Sequence, residues 1–189
     1  MNYVNQLDYP TLLYPTSLDK SGNVPEPCPT FAKAGCGLAS VCMLVSKLIG
    51  VELTPEQAVA LSVGCGANVN GTNMSVLGKA ISEQYDLRFS VSDDLSDLLH
   101  CLQEGGAAIF NSGAVNRIFS DNGHFLLADR LCADGTVAVL DPSLTPEKYT
   151  VEFRKSKVRR VEEVLFVTPA TIAEECSNRS PAYYLFSNK

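Results

Sequence analysis

Thr30-Phe-Ala-Lys-Ala-Gly35-Cys36-Gly37-Leu-Ala-Ser-Val-Cys-Met-Leu-Val-Ser-Lys-Leu-Ile-Gly50 is the stretch on which the fold turns. Leu38, Val41, Leu44, Val45 and Leu48 recur at the i, i+3, i+4 spacing of one buried helical face. That rhythm predicts a helix over 36–48, stopped at Gly50. Cys36 stands between two glycines where this helix begins. A helix start offers unpaired N–H groups and partial positive charge, which favour a thiolate over a thiol. Gly35 and Gly37 are expected to clear space around the sulfur.

Upstream, residues 1–29 hold five of the ten prolines: Pro10, Pro15, Pro25, Pro27 and Pro29. Proline breaks helix interiors, so this segment should run extended over the surface, anchored by Tyr3, Val4, Leu7 and Tyr9. Downstream, Thr54-Pro55-Glu56-Gln57 carries the capping box of a second helix, and a third is expected over 73–85. A short strand over 87–91, a helix over 95–103 and a strand over 107–111 follow. Two apolar runs, 124–131 and 136–141, flank the turn Ala133-Asp134-Gly135 as a hairpin. Residues 149–153 and 164–167 read as further strands, and 168–189 as a tail whose aromatic residues could form a last strand or dock on the surface of this or another copy. Helices first and antiparallel strands after predict one α+β domain over 1–189, with helices on one side of the sheet.

Composition narrows the function. A chain of 189 residues, 46% apolar and 19% charged, is long enough to bury a substantial core. The net charge of −6 disfavours nucleic acid, which is bound by clustered Lys and Arg. No apolar run approaches the ~20 residues of a membrane span, and Met1-Asn-Tyr-Val-Asn-Gln-Leu-Asp is unlike a signal peptide. The expectation is a cytoplasmic protein, unless a secretory leader has been removed. Seven cysteines at irregular spacing do not make a complete disulfide framework, and no Cys-x-x-Cys suggests zinc. No metal or cofactor is therefore expected.

The candidate base comes from only two histidines. His100 lies mid-helix with no acid placed to orient it. His124, in Gly123-His124-Phe-Leu-Leu-Ala, begins an apolar strand behind a glycine-bearing loop. At a sheet end it can reach a helix terminus packed opposite. Asp141 closes the next strand and, across a hairpin, becomes a neighbour able to hold the Nδ1 proton of His124. Asp129 is a weaker alternative, being on the same strand as His124. Cys65, in Gly64-Cys65-Gly66, repeats the glycine signature of Cys36 without an apolar helix behind it.

Together these residues resemble the papain-like cysteine peptidases of the bacteriocin-processing (double-glycine leader) type, and more closely their stand-alone bacterial relatives. The resemblance covers about residues 1–167 and rests on Tyr3-Val-Asn-Gln6-Leu-Asp, Thr30-Phe-Ala-Lys-Ala-Gly-Cys36-Gly-Leu-Ala-Ser40, Leu53-Thr-Pro-Glu56, Gly123-His124-Phe-Leu-Leu and Val139-Leu-Asp141-Pro142. It implies a papain-like fold, with N-terminal helices on a C-terminal antiparallel sheet and the active site between them. It implies Cys36 as nucleophile, His124 as general base and acid, and Asp141 as the orienting group. Two departures stand out. Leu38 replaces the usual proline, and Thr30 occupies the place where many papain-like enzymes carry an oxyanion-hole glutamine. Gln6 is the substitute donor.

The expected activity is hydrolysis of a peptide or related amide through a thioester, with a peptide or protein as partner. Two alternatives are acyl transfer by the same three residues and a binding module that keeps the fold without turnover. The basic run Arg154-Lys155-Ser-Lys157-Val-Arg159-Arg160 reads as a solvated segment, or as a dock for an acidic substrate tail. The polar run 68–73 reads as a loop and helix cap able to line a cleft.

Overall fold

A computed structural model describes residues 2–189. Its N-terminal segment is largely irregular, as its prolines require, with a 3-10 turn at Gln6–Asp8 and a bridge between Leu13 and Thr30. Tyr3, Val4 and Tyr9 pack against the core. Leu7 does not serve as the expected anchor, because it points to solvent.

Four helices follow: α1 (Phe31–Ala34), α2 (Cys36–Ile49), α3 (Pro55–Gly64) and α4 (Met74–Gln84). Gly50 stops α2 in the left-handed conformation, φ 76°, which glycine adopts without strain. At α3 the Thr54 hydroxyl accepts from Gln57 N and the Gln57 side chain accepts from Thr54 N, closing the capping box. The remaining elements are β1 (Leu87–Ser92), α5 (Leu95–Gln103), β2 (Ala107–Ser112), β3 (His124–Leu131), β4 (Val137–Leu140), α6 (Glu152–Lys155), β5 (Val158–Val161), β6 (Val164–Val167), α7 (Pro169–Cys176) and β7 (Tyr183–Asn188). No helix among the described residues is long and apolar enough to cross a membrane.

Among the described residues seven strands form one antiparallel sheet in the order β1-β7-β2-β3-β4-β6-β5. Side chains alternate across it with period two. Ile109, Leu127, Leu140, Tyr184 and Phe186 face a core shared with α2, α3 and α4. Phe110, Leu126, Ala128, Val139, Tyr183 and Leu185 face a second core that takes in Leu98, Leu102, Ile172 and Cys176 of α5 and α7. Helices therefore cover both faces, where the sequence suggested one.

Three segments depart from expectation. Residues 149–153 are no strand: the edge of β4 is taken by β6, and the chain turns into α6. The basic run instead supplies β5, an edge strand whose Arg159 stacks on Phe166 at 3.9 Å. Charged residues on an edge strand discourage pairing with other chains. In residues 168–189 the aromatic residues do form a last strand, but the segment is more than a tail. They contain α7, and β7 lies inside the sheet between β1 and β2.

One packing contact bears directly on the site. At its start, α2 lies on the beginning of β3, where Ser40 Oγ donates to Phe125 O at 3.4 Å. At its end, Lys47 Nζ donates to the Asp129 carboxylate at 2.8 Å and to the Asp129 carbonyl. From Cys36 to Lys47 the helix advances about 16 Å at ~1.5 Å per residue. From His124 to Asp129 the strand advances about 16 Å at ~3.3 Å per residue. The two elements run in the same direction over comparable lengths, with Cys36 meeting His124 at one end and Lys47 bonding Asp129 at the other.

Candidate active site

Cys36 occupies the first turn of α2 and is partly exposed. The adjoining glycines are needed for packing more than for access. A Cβ at Gly37 would press on Met74, Thr72 and Phe125, and one at Gly35 would collide with Phe31. Burial pushes the Cys36 thiol up. The hydrogen bond and charge of His124, with the backbone N–H groups of Phe125 and Gly37, outweigh that and bring it below its ordinary value. Burial without such partners pushes Cys42 and Cys176 up to about 12. All seven thiols are free.

His124 opens β3 opposite Ser112 of β2 and is 5% exposed. Its Nε2 lies 2.7 Å from Asp141 Oδ1. Asp141 follows β4, which pairs with β3, so the hairpin makes neighbours of the two side chains. The nitrogen facing the carboxylate is Nε2 rather than the expected Nδ1, which leaves Nδ1 as the nitrogen for the sulfur. Burial pulls the imidazole down, but Asp141 and then Cys36 raise it to about 9. The structure thus brings Cys36, His124 and Asp141 into one cluster.

Asp141 is fully buried and held on every side. Oδ1 also accepts from Ser143 N at 2.9 Å and Ser143 Oγ at 3.2 Å. Oδ2 accepts from Tyr149 OH at 2.6 Å and pairs with Lys148 Nζ at 2.7 Å. Its backbone carbonyl accepts from Tyr3 OH at 2.5 Å. Burial would raise this carboxyl; His124 first and Lys148 next hold it well below the usual carboxylate range. Burial, and then the Asp141 charge, drive the Tyr149 hydroxyl far above its usual value, so it stays a neutral donor. Lys148, Ser143 and Tyr149 were not singled out in the sequence. They follow Asp141-Pro142 within a few residues, and that proximity is the only signal they leave.

Gln6 joins the two halves of the cluster. Its backbone N donates to Pro142 O at 2.6 Å, beside Asp141, and its Nε2 donates to Ala32 O at 2.6 Å, four residues before Cys36. Its Oε1 is buried without a partner. Thr30 caps no helical N–H with its side chain; it precedes α1 and bridges to Leu13.

The other candidates lie elsewhere. Cys65 ends α3, at the helix pole that disfavours a thiolate. Asp129 belongs to the Lys47 clamp. His100 borders a groove of about 810 Å³ formed by β1, α5 and β7, which contains none of Cys36, His124 or Asp141. Among the described residues no group of His, Cys, Asp and Glu is arranged to hold a metal ion.

No protein-family model matches the chain, and neither does any curated protein. Among solved structures it superposes on a Bacillus anthracis protein described as a candidate C39-like peptidase. The TM-score is 0.52 at 12% identity, covering 82% of this chain and 90% of that one. Likeness at that identity is likeness of fold. The architecture is therefore α+β and papain-like, as the sequence suggested.

Proposed function

We propose that the protein is a cysteine peptidase or closely related amide hydrolase in which Cys36, His124 and Asp141 act as nucleophile, base and orienter. One observation carries this proposal: a helix-start thiol lowered by an imidazole whose far nitrogen sits 2.7 Å from a buried carboxylate. The fold shared with a protein described as a candidate C39-like peptidase supports a peptide as substrate. Cleavage after a double-glycine leader is the finer form of this proposal, suggested by sequence motifs.

The proposed steps use the groups described above. The Cys36 thiolate attacks the carbonyl carbon, the C–S bond forms, and the π pair moves to oxygen. The oxyanion lies near the Cys36 N–H, at a helix start where such groups lack an intrahelical partner. Gln6 uses one Nε2 hydrogen on Ala32 and has a second for the oxyanion. His124 Nδ1–H protonates the leaving amine as the C–N bond breaks. It then takes a proton from water, which attacks the thioester and releases the acid and the thiolate. An amine in place of that water would give acyl transfer.

Cys36→Ala is expected to abolish hydrolysis while the thermal unfolding midpoint stays near wild type. A mild iodoacetamide probe is expected to label Cys36 ahead of the six other thiols, and His124→Ala to slow that labelling at least about 10-fold at neutral pH. Uniform labelling of all seven thiols would instead favour a binding module without turnover.

A further inference from the structure

Four partly buried basic side chains have found acceptors. Lys47 binds Asp129, Lys148 binds Asp141, Arg154 binds Asp121, and Arg160 donates to the carbonyl of Thr145. Arg179 is also partly buried, yet its guanidinium makes no ion pair or hydrogen bond among the described residues, and its buried Nε has no acceptor. Burying Nε without an acceptor is costly, and the terminal nitrogens, which are not among the buried unpartnered atoms, remain free to meet an anion.

Its position matters as much as its lack of a partner. Arg179 lies in the loop between α7 and β7, which crosses the end of the sheet just past the Ser112–His124 pair. There Asn178 Nδ2 donates to Gly113 O at 3.2 Å, seating the loop. A Cβ at Gly123, the residue before His124, would overlap Arg179 Nη2. Gly123 adjoins His124, so the guanidinium stands beside the residue that opens β3 and faces Cys36. Acids around the site are already engaged: Asp141 with His124 and Lys148, Glu175 with the N–H groups of Asn116 and Ile118, and Asp93 with Ser180 Oγ and Ala182 N.

We infer that Arg179 is a subsite for a carboxylate carried by the substrate next to the bond that is cut. The inference rests on the proposed hydrolase for the identity of that bond, and on the unpaired guanidinium beside Gly123 for the rest. An acidic side chain and a free chain end offer the same planar anion, which a guanidinium binds through two parallel N–H donors. The net charge of −6 repels acidic ligands at long range, so the preference has to arise at this contact.

The test separates binding from turnover. Acetylated Gly/Ala peptides are prepared with Glu or Gln at each position in turn, each as free acid and as C-terminal amide. Binding is measured on the Cys36→Ala protein, with Arg179, Arg179→Met or Arg179→Lys, after thermal unfolding has shown each variant folded. One acidic position, or the free chain end, is expected to bind about 10-fold tighter than its neutral counterpart. Arg179→Met is expected to abolish that difference without weakening the neutral peptides, and Arg179→Lys to keep part of it. The peptide series that shows the difference identifies its source. Equal binding of acidic and neutral peptides, or an acid preference undiminished in Arg179→Met, overturns the subsite. If the wild type hydrolyses none of these peptides while acid-selective binding depends on Arg179, the hydrolase fails and the subsite stands.

Discussion

At the scale of single residues, the sulfur and the imidazole shift each other's proton. The Cys36 thiol lies below its usual value and His124 is raised to about 9, so each group favours the charged form of the other. The hydrolysis rate is expected to fall as pH rises through about 9, as the imidazolium loses the proton it must give the leaving amine. Stability follows the same group. Its folded pKa lies above the ~6.5 of an unfolded histidine, so its contribution is complete below that value and is lost as pH climbs through about 9. The unfolding midpoint of wild type should therefore drop over that window, and that of His124→Ala should drop less. Lys148 tunes the pair through Asp141, whose charge it shares with His124. Lys148→Met removes a cation near the imidazole, which raises the imidazolium pKa and moves the alkaline limb upward. It is expected to cost up to about 3 kcal/mol in urea unfolding, at the low end for a broken buried pair because Tyr149 and Ser143 still hold the carboxylate. Cys36, His124 and Asp141 were legible in the sequence because a helix start, a strand start and a strand end are marked by periodicity. Lys148 and Arg179 were not, because a charge matters there through its neighbours in space, and no local pattern encodes those.

At the scale of elements, α2 and β3 hold the cluster between them. The Lys47–Asp129 bond fastens their far ends. Lys47→Met leaves the 5%-exposed Asp129 with Arg130 as its remaining ion pair. A loss of about 1–3 kcal/mol in urea unfolding is expected, with slower alkylation of Cys36 as the helix gains freedom to slide. The helices and most strands were readable from capping boxes and hydrophobic spacing. Residues 149–153 were misread because Val151 and Phe153 alternate like a strand, while the free edge they would have joined belongs to β6. The strand in the basic run was hidden by its charges, which suit an edge and mask a hydrophobic pattern.

At the scale of the whole molecule, β7 joins β1 to the rest of the sheet and lends Tyr184 and Phe186 to one core and Tyr183 and Leu185 to the other. Deleting residues 183–188 is expected to yield aggregated or unfolded protein, checked by solubility and circular dichroism, where an appended tail would be dispensable. The sequence suggested a class of fold and the order of its parts, but not this insertion, since non-local pairing leaves little local trace. The matched lengths of α2 and β3 have a consequence for how such a chain can drift over generations. One codon gained or lost between 36 and 47, or between 124 and 129, would rotate or flip the residues beyond it and throw the two rulers out of step. Descendants of this gene should accordingly vary in length at the surface turns and keep those two intervals constant.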